Sequence, residues 1–355
     1  MSVKETLTKK QFEYYCKNEF QRAGYCISDD NIRSNAFDFI AQRKNPIKTG
    51  NNARKIVTKI LVDLDLFKKQ ASIELQLISK LISGFPLLVA QSAAGKNMDE
   101  AALYRRHDIS AISLDTLKMY LRYEKISKYA GRGGIYVKIS KDELKKRRKL
   151  LKLDLTFLAR KIGLSRHSLY KYEKGESLPK IENYKLLTKV LGDNLDEPIE
   201  VLSSQFNYLC ENTLRNYVKP HSKLQEEVTQ YLEDIEVNVL WFKSEPFDGL
   251  SAPSSDFSSS NKNHDTIHPI ITGVTSCDDK TDSVRISSIE SLSKFLQKKA
   301  VWFIDENLVD YNSIKSLGHL TIVNISDLEH MADKEFKDLL KKRESSKSSL
   351  NQITK

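Results

Sequence analysis

The chain has 355 residues, 40% of them hydrophobic and 29% charged, with a formal net charge of +10. That length exceeds one ordinary core and points to two or three domains. No apolar run is long enough to span a bilayer, and the N-terminal stretch MSVKETLTKKQFEYYCKNEF has no secretory apolar core, so a cytoplasmic protein without a membrane partner is expected. Cys16, Cys26, Cys210 and Cys277 lack C-x-x-C spacing, which argues against a disulfide framework or a zinc site.

Apolar periodicity predicts a helix over about residues 8–23, a short strand at "YCIS" and a second at "AFDFIAQR". "KIVTKILVDL", rich in β-branched residues, reads as a buried strand. A helix near 69–83 precedes the strand "PLLVAQ", and "SAISLDTLKMYL" is a strand entering a helix. The Gly-rich turn and strand of Tyr129–Ser140 (YAGRGGIYVKIS) form a connector, residues 129–140, closing an α/β domain of residues 1–128.

Residues 141–203 change character to five short, capped helices. Ser140 opens the first in capping-box form with Glu143, and Leu144 and Leu151 are expected inward. Asp154 caps a second helix with Leu158, Ala159 and Ile162 buried; Gly163 supplies the positive φ at which the chain reverses, with Leu164 beneath it. Ser165 caps the third, RHSLYKYEK, with Leu169 and Tyr172 inward and Gly175 past its end. A fourth starts at Pro179 and stops at Gly192, and a fifth is expected in DEPIEVL. Lys141 to Gly192 carries fifteen Lys/Arg against six Asp/Glu, leaving only about +1 for all the rest of the chain. So local an excess suits a module that neutralises phosphates.

After a connector at 204–222, residues 223–335 repeat the first scheme. "KLQEEVTQYLEDI" is helical and "VNVLWFKS" extended; "PFDGLS" parallels "AFDFIA", and "IITGVTSCDD" parallels "IVTKILVDLD". "AVWFIDEN" and "LTIVNISDLEHM" complete a second copy, interrupted by a Ser-rich loop at 249–269 and followed by a basic tail at 336–355 that is expected to be disordered.

The core LARKIGLSRHSLYKYEKGESLPKIENYKLLTKVLG closely resembles the Xre/Cro-type helix-turn-helix (HTH) domain, whose Ala, Gly, Ser, Tyr-Glu-x-Gly and Pro positions fall together here. The whole chain is similar to archaeal helix-turn-helix transcriptional regulators through "FDFIAQR", "KILVDLD", "GGIYVKIS", "EPFDGLS" and "ITGVTSCDD", with the motif between two α/β domains. The resemblance implies an α+β multidomain protein whose third helix, about 166–174, enters the major groove. Arg166, His167 and Lys171 become base-edge candidates, with Ser168 and Tyr170 beside them; Ser165, Lys174, Arg160 and Lys161 become phosphate contacts. Leu155 departs from the polar residue the family often has at its place. The expected function is sequence-specific regulation of transcription on double-stranded DNA, as a homodimer, with the transcription machinery as a further partner; a protein-bridging coactivator is the alternative.

The flanking order of helix, three strands, helix and strand resembles restriction-endonuclease-like and resolvase-like folds. Such nucleases need an Asp, then an acidic residue two positions before a Lys, to hold Mg²⁺ and activate water. The first copy offers Asp38 and Lys59 but has Val57 at the acidic position; the second has Asp248, then Ile271 and Gly273. No enzyme and no cofactor are therefore expected, with a Mg-dependent nuclease using Asp38 and Lys59 as the other alternative. His264 and His268 lie in the Ser-rich loop, "AAGK" at 93–96 lacks the remaining phosphate-loop residues, and "GRGG" precedes a strand, so it reads as a turn.

Overall fold

The computed structural model describes residues 7–28, 36–43, 55–202, 219–242, 247–253, 270–274, 279–305 and 320–328. Two compact units make up the chain: Met1–Ile27, Ala41–Ser72 and Phe85–Phe206 form one, and Ser28–Ile40, Ile73–Gly84 and Asn207–Lys355 the other. The architecture is α+β.

Helix α1 (Lys9–Arg22) opens on a full capping box between Thr8 and Gln11. The sheet that follows starts with the antiparallel pair β1 (Tyr25–Ile27) and β2 (Phe39–Arg43). Next comes β3 (Lys55–Asp63), parallel to β4 (Phe85–Ala93), which is itself parallel to β7 (Ile109–Ile112). Helix α2 (Lys69–Leu81) falls between β3 and β4 in the chain, and α3 (Leu114–Leu121) follows β7. In β3 the run Ile56 to Ile60 is buried without alternation, as a parallel strand covered on both faces must be.

Four short strands extend this sheet: β5 (Lys96–Asn97), β6 (Ala102–Arg106), β8 (Lys128–Gly131) and β9 (Gly134–Val137). Of these, β5, β6 and β8 were not expected. They are short, and pairing with neighbours, rather than their own periodicity, fixes them.

The second sheet is built from α8 (Lys223–Asp234), β10 (Val237–Trp241), β11 (Gly249–Pro253), β12 (Ile270–Val274), α9 (Asp279–Leu296), β13 (Ala300–Ile304), β14 (Leu320–Asn324) and α10 (Ile325–Leu328). Its order β10-β11-β12-β13-β14 reproduces β1-β2-β3-β4-β7 of the first, with the same antiparallel opening pair and parallel closing pairs. Registers agree to the residue: Val57 faces Pro86 where Ile271 faces Ala300, and Leu88 faces Ala111 where Trp302 faces Ile322. The internal repeat is thus matched strand for strand. Residues 254–269 and 329–355, including His264, His268 and the basic tail, lie outside the described residues, as do Cys210 and Cys277.

Between the two sheets in sequence stand four helices: α4 (Lys141–Leu150), α5 (Leu155–Lys161), α6 (Arg166–Lys174) and α7 (Ile181–Leu191). They enclose a core of Leu144, Leu158, Ala159, Ile162, Leu169, Tyr172, Leu187 and Leu191, to which Val137 and Ile139 also contribute. The expected fifth helix is absent: the DEPIEVL segment is extended, and Asp196 forms an antiparallel bridge with Ile139. Pro198 removes a backbone donor in the middle of that segment, and the edge of the incoming strand offers the backbone its partners instead. Three local expectations also change. Leu151 is 51% exposed rather than inward. Pro179 precedes the N-cap Lys180 instead of starting the helix. At Ser140 only half of the capping box forms, because its N–H is taken by the Leu195 carbonyl and Glu143 turns to Arg147.

Candidate nucleic-acid interface

Helix α6 starts where Gly163 (φ 68°) reverses the chain and Ser165 accepts a 3.0 Å hydrogen bond from the Ser168 N–H. It ends at Gly175, whose φ of 74° requires glycine. Leu169, fully buried, and Tyr172 hold one side against the core. The opposite side presents Arg166, His167, Tyr170 and Lys174 to solvent, with Lys171 half-buried between them. Their spacing of one, four, five and eight residues from Arg166 puts them on one helical face. The Lys174 ammonium lies 5.6 Å from the centre of the Tyr170 ring, which braces both side chains without covering them. Arg166 makes no hydrogen bond or ion pair among the described residues, so its five donors are available. Arg160 and Lys161 are exposed at the end of α5, one turn before Ser165. Ser168 is half-buried, its hydroxyl 2.9 Å from that of Ser165.

What holds α6 in place was not anticipated. Arg148 grips Glu173 through two hydrogen bonds of 2.6 and 3.0 Å and donates a third, of 2.8 Å, to the Leu153 carbonyl. With only 14% and 9% of the two side chains exposed, this fork clamps α6 to α4. The Glu173 hydrogen bonds hold the Arg148 guanidinium above its usual pKa range against the pull of desolvation. Arg147 bonds Glu143 and then caps α7 through the carbonyls of Leu191, Asp193 and Asn194. Two members of the basic run in α4 are therefore structural, while Lys145, Lys146 and Lys149 remain exposed. The one available signal was the single acidic residue within the otherwise basic RHSLYKYEK helix.

A second set of bonds ties the helices to the preceding strand. Val137 N–H donates to the Pro179 carbonyl and Ser140 N–H to that of Leu195, with Tyr136 bridging Lys180. Asp196 sits between Lys125 (2.9 Å) and the Tyr184 hydroxyl (2.8 Å). Desolvation pulls the Asp196 carboxyl upward, but hydrogen bonds from Lys125, Ser127 and Tyr184 outweigh it and leave it below the usual range. Desolvation, then the bond to Asp196, pushes the Tyr184 phenol up to about 12.

In the two α/β copies the positions of a nuclease cation site are filled only in part. In the second, Asp248 is paired with the Arg285 guanidinium and accepts a 2.6 Å bond from Val274 N–H. Arg285 in turn lies 5.2 Å over the Trp302 ring. A Cβ on Gly273 would overlap that ring, so the position matching Lys59 has no room for a lysine. In the first copy Asp38 stands half-buried just before β2, Lys59 is buried in mid β3, and Val57 is fully buried where a second carboxylate would belong. Among the described residues no group of three acidic, His or Cys side chains is placed to hold a metal ion.

Compared with known proteins, residues 144–197 match the helix-turn-helix family and residues 7–126 a PD-(D/E)XK superfamily domain. The chain is 27% identical over 338 residues to a Methanococcus maripaludis protein, covering 93% of this chain and 97% of that one. It is 29% identical over 251 residues to a Pyrococcus abyssi protein (70% and 75% covered) and 25% identical over 321 residues to one from Methanocaldococcus jannaschii (89% and 91%). Each of the three is named "Putative HTH-type transcriptional regulatory protein". No solved structure matches the chain. No helix among the described residues is long and apolar enough to cross a membrane.

Proposed function

We propose that this chain, similar along most of its length to archaeal HTH-type regulators, regulates transcription by binding a specific site on double-stranded DNA with α6 in the major groove. The observation that carries the reading is the exposed face of α6, led by a free Arg166 and fixed from behind by the Arg148–Glu173 fork. A guanidinium at the entry end of a groove-binding helix suits the O6 and N7 acceptors of guanine. His167 and Lys171 read neighbouring bases, with Ser168 and Tyr170 adjacent; Ser165, Lys174, Arg160 and Lys161 touch phosphates. One such helix covers few base pairs, so a homodimer doubles the site. Selection from random duplexes followed by footprinting tests this: two half-sites about 34 Å apart are expected, and a single uninterrupted half-site, or no preference at all, contradicts it.

The match of residues 7–126 to a PD-(D/E)XK superfamily domain supports a second reading, a Mg-dependent nuclease drawing on Asp38 and Lys59. Incubation with Mg²⁺ or Mn²⁺ and plasmid or branched DNA separates the two. Cleavage lost in Asp38→Asn favours the nuclease, and intact DNA favours the regulator.

A further inference from the structure

The β8–β9 hairpin has no part in the reading above, yet it is bonded to the segment that leaves α6. Its strands close at Gly131 facing Gly134, leaving Arg132 and Gly133 as the tip. Gly133 (φ 86°) and Gly134 (φ 135°) take conformations that side chains avoid. At Gly131 a Cβ would press on the Tyr136 ring at 3.1 Å, and the Tyr136 hydroxyl donates to the Arg132 carbonyl at 2.8 Å. Tyr136 thus fixes the tip from below, and Arg132 is the only side chain the tip carries. Residues 131–134 are all exposed.

Strand β9 joins this tip to the helices. Val137 N–H donates to Pro179 O at 2.9 Å, Tyr136 bridges Lys180, and Val137 lies in the helical core. Pro179 and Lys180 belong to the short link between α6 and α7. The exposed Lys180 ammonium stands 3.6 Å from where a Cβ on Gly133 would be, so the link's cation lies beside the tip that carries Arg132. Neither Arg132 nor Lys180 has an ion-pair partner among the described residues. Glu176 and Glu182 are also exposed on the same stretch.

We infer that the hairpin tip is a second DNA-contacting element: Arg132 and Lys180 hold backbone phosphates of the duplex whose major groove receives α6. The inference rests on the DNA-binding reading of α6 and adds to it a wing that no base-reading role requires. A guanidinium matches a phosphate bidentately, the bare glycines let the backbone approach closely, and an already ordered hairpin loses little entropy on contact.

The test is full-chain affinity against salt concentration, on the selected site and on a scrambled duplex, for wild type, Arg132→Ala, Arg132→Lys and Lys180→Ala. Each alanine variant is expected to lose affinity by the same factor on both duplexes and to lower the log–log salt slope by about 1. Between 50 and 200 mM salt that removes roughly 3.5-fold of the salt-dependent loss. Base preference should stay that of wild type, and Arg132→Lys should keep the slope. Unchanged slopes in both alanine variants overturn the wing while leaving the α6 reading intact, as does a changed base preference at Arg132. Wild type that binds neither duplex overturns the α6 reading itself.

Discussion

Removing Glu173 tests whether α6 is held as a rigid reader. In Glu173→Ala the guanidinium of Arg148, 14% exposed, loses both charge-assisted bonds and keeps only the Leu153 carbonyl. Breaking a fully buried ion pair costs about 3–5 kcal/mol, whereas an exposed pair is worth about 1 or less. The residual exposure places this fork slightly below the buried range, at about 2–4 kcal/mol. Because the chain has two units, one global unfolding curve would blur the effect, and amide hydrogen exchange followed peptide by peptide in α4 and α6 is the suitable assay. At 1.36 kcal/mol per decade, amides there should exchange roughly 30- to 1000-fold faster, while those of β12 and β13 keep their wild-type rates. Arg148→Met combined with Glu173→Leu should recover part of the loss, since no unpaired charge then remains. Exchange in α6 within threefold of wild type would show that the fork does not hold the helix.

Two other outcomes follow from the geometry. The depressed pKa of Asp196 stabilises the native state above its unfolded value of about 3.9, and that contribution is lost as pH falls through the lower folded value. The raised pKa of Tyr184 acts in the opposite sense, contributing fully below its unfolded value of about 10 and fading as pH rises towards its folded value of about 12. Protection of the 195–200 segment should therefore drop below about pH 4 and again above about pH 10; Asp196→Asn should remove the acid arm and Tyr184→Phe the alkaline one. In the second sheet, Gly273→Ala drives a methyl into the Trp302 ring and to 2.9 Å from Ile289, so a loss of about 1–3 kcal/mol and an altered tryptophan emission are expected. A thermally neutral variant would show that the ring can shift.

Much of this was legible in the residues because capping and periodicity are local properties. Ser165, Asp154, Gly163 and Gly175 each specify a backbone conformation on their own, and the helices they bound are the ones observed. The paired strands of the two copies were legible because each repeats a β-branched, apolar run. What escaped depends on partners distant in sequence. Arg148 and Glu173 are 25 residues apart, and nothing nearby distinguishes a clamping arginine from the solvated lysines beside it. The missing fifth helix has the same origin. DEPIEVL carries helix-compatible residues, but strand pairing at Ile139 and the ion pair with Lys125 hold Asp196 in an extended chain. Charge counting likewise overstated the free basic surface, since Arg147 and Arg148 are consumed internally.

The most direct test of the central claim compares wild type with Arg166→Ala on the preferred duplex and on one of scrambled sequence, at the same salt. If Arg166 reads a base, the variant should lose about 1–3 kcal/mol, roughly 5- to 150-fold, on the preferred duplex, far less on the scrambled one, and become indifferent at a single base pair. Equal losses on the two duplexes, or none on either, would contradict α6 as the reading element.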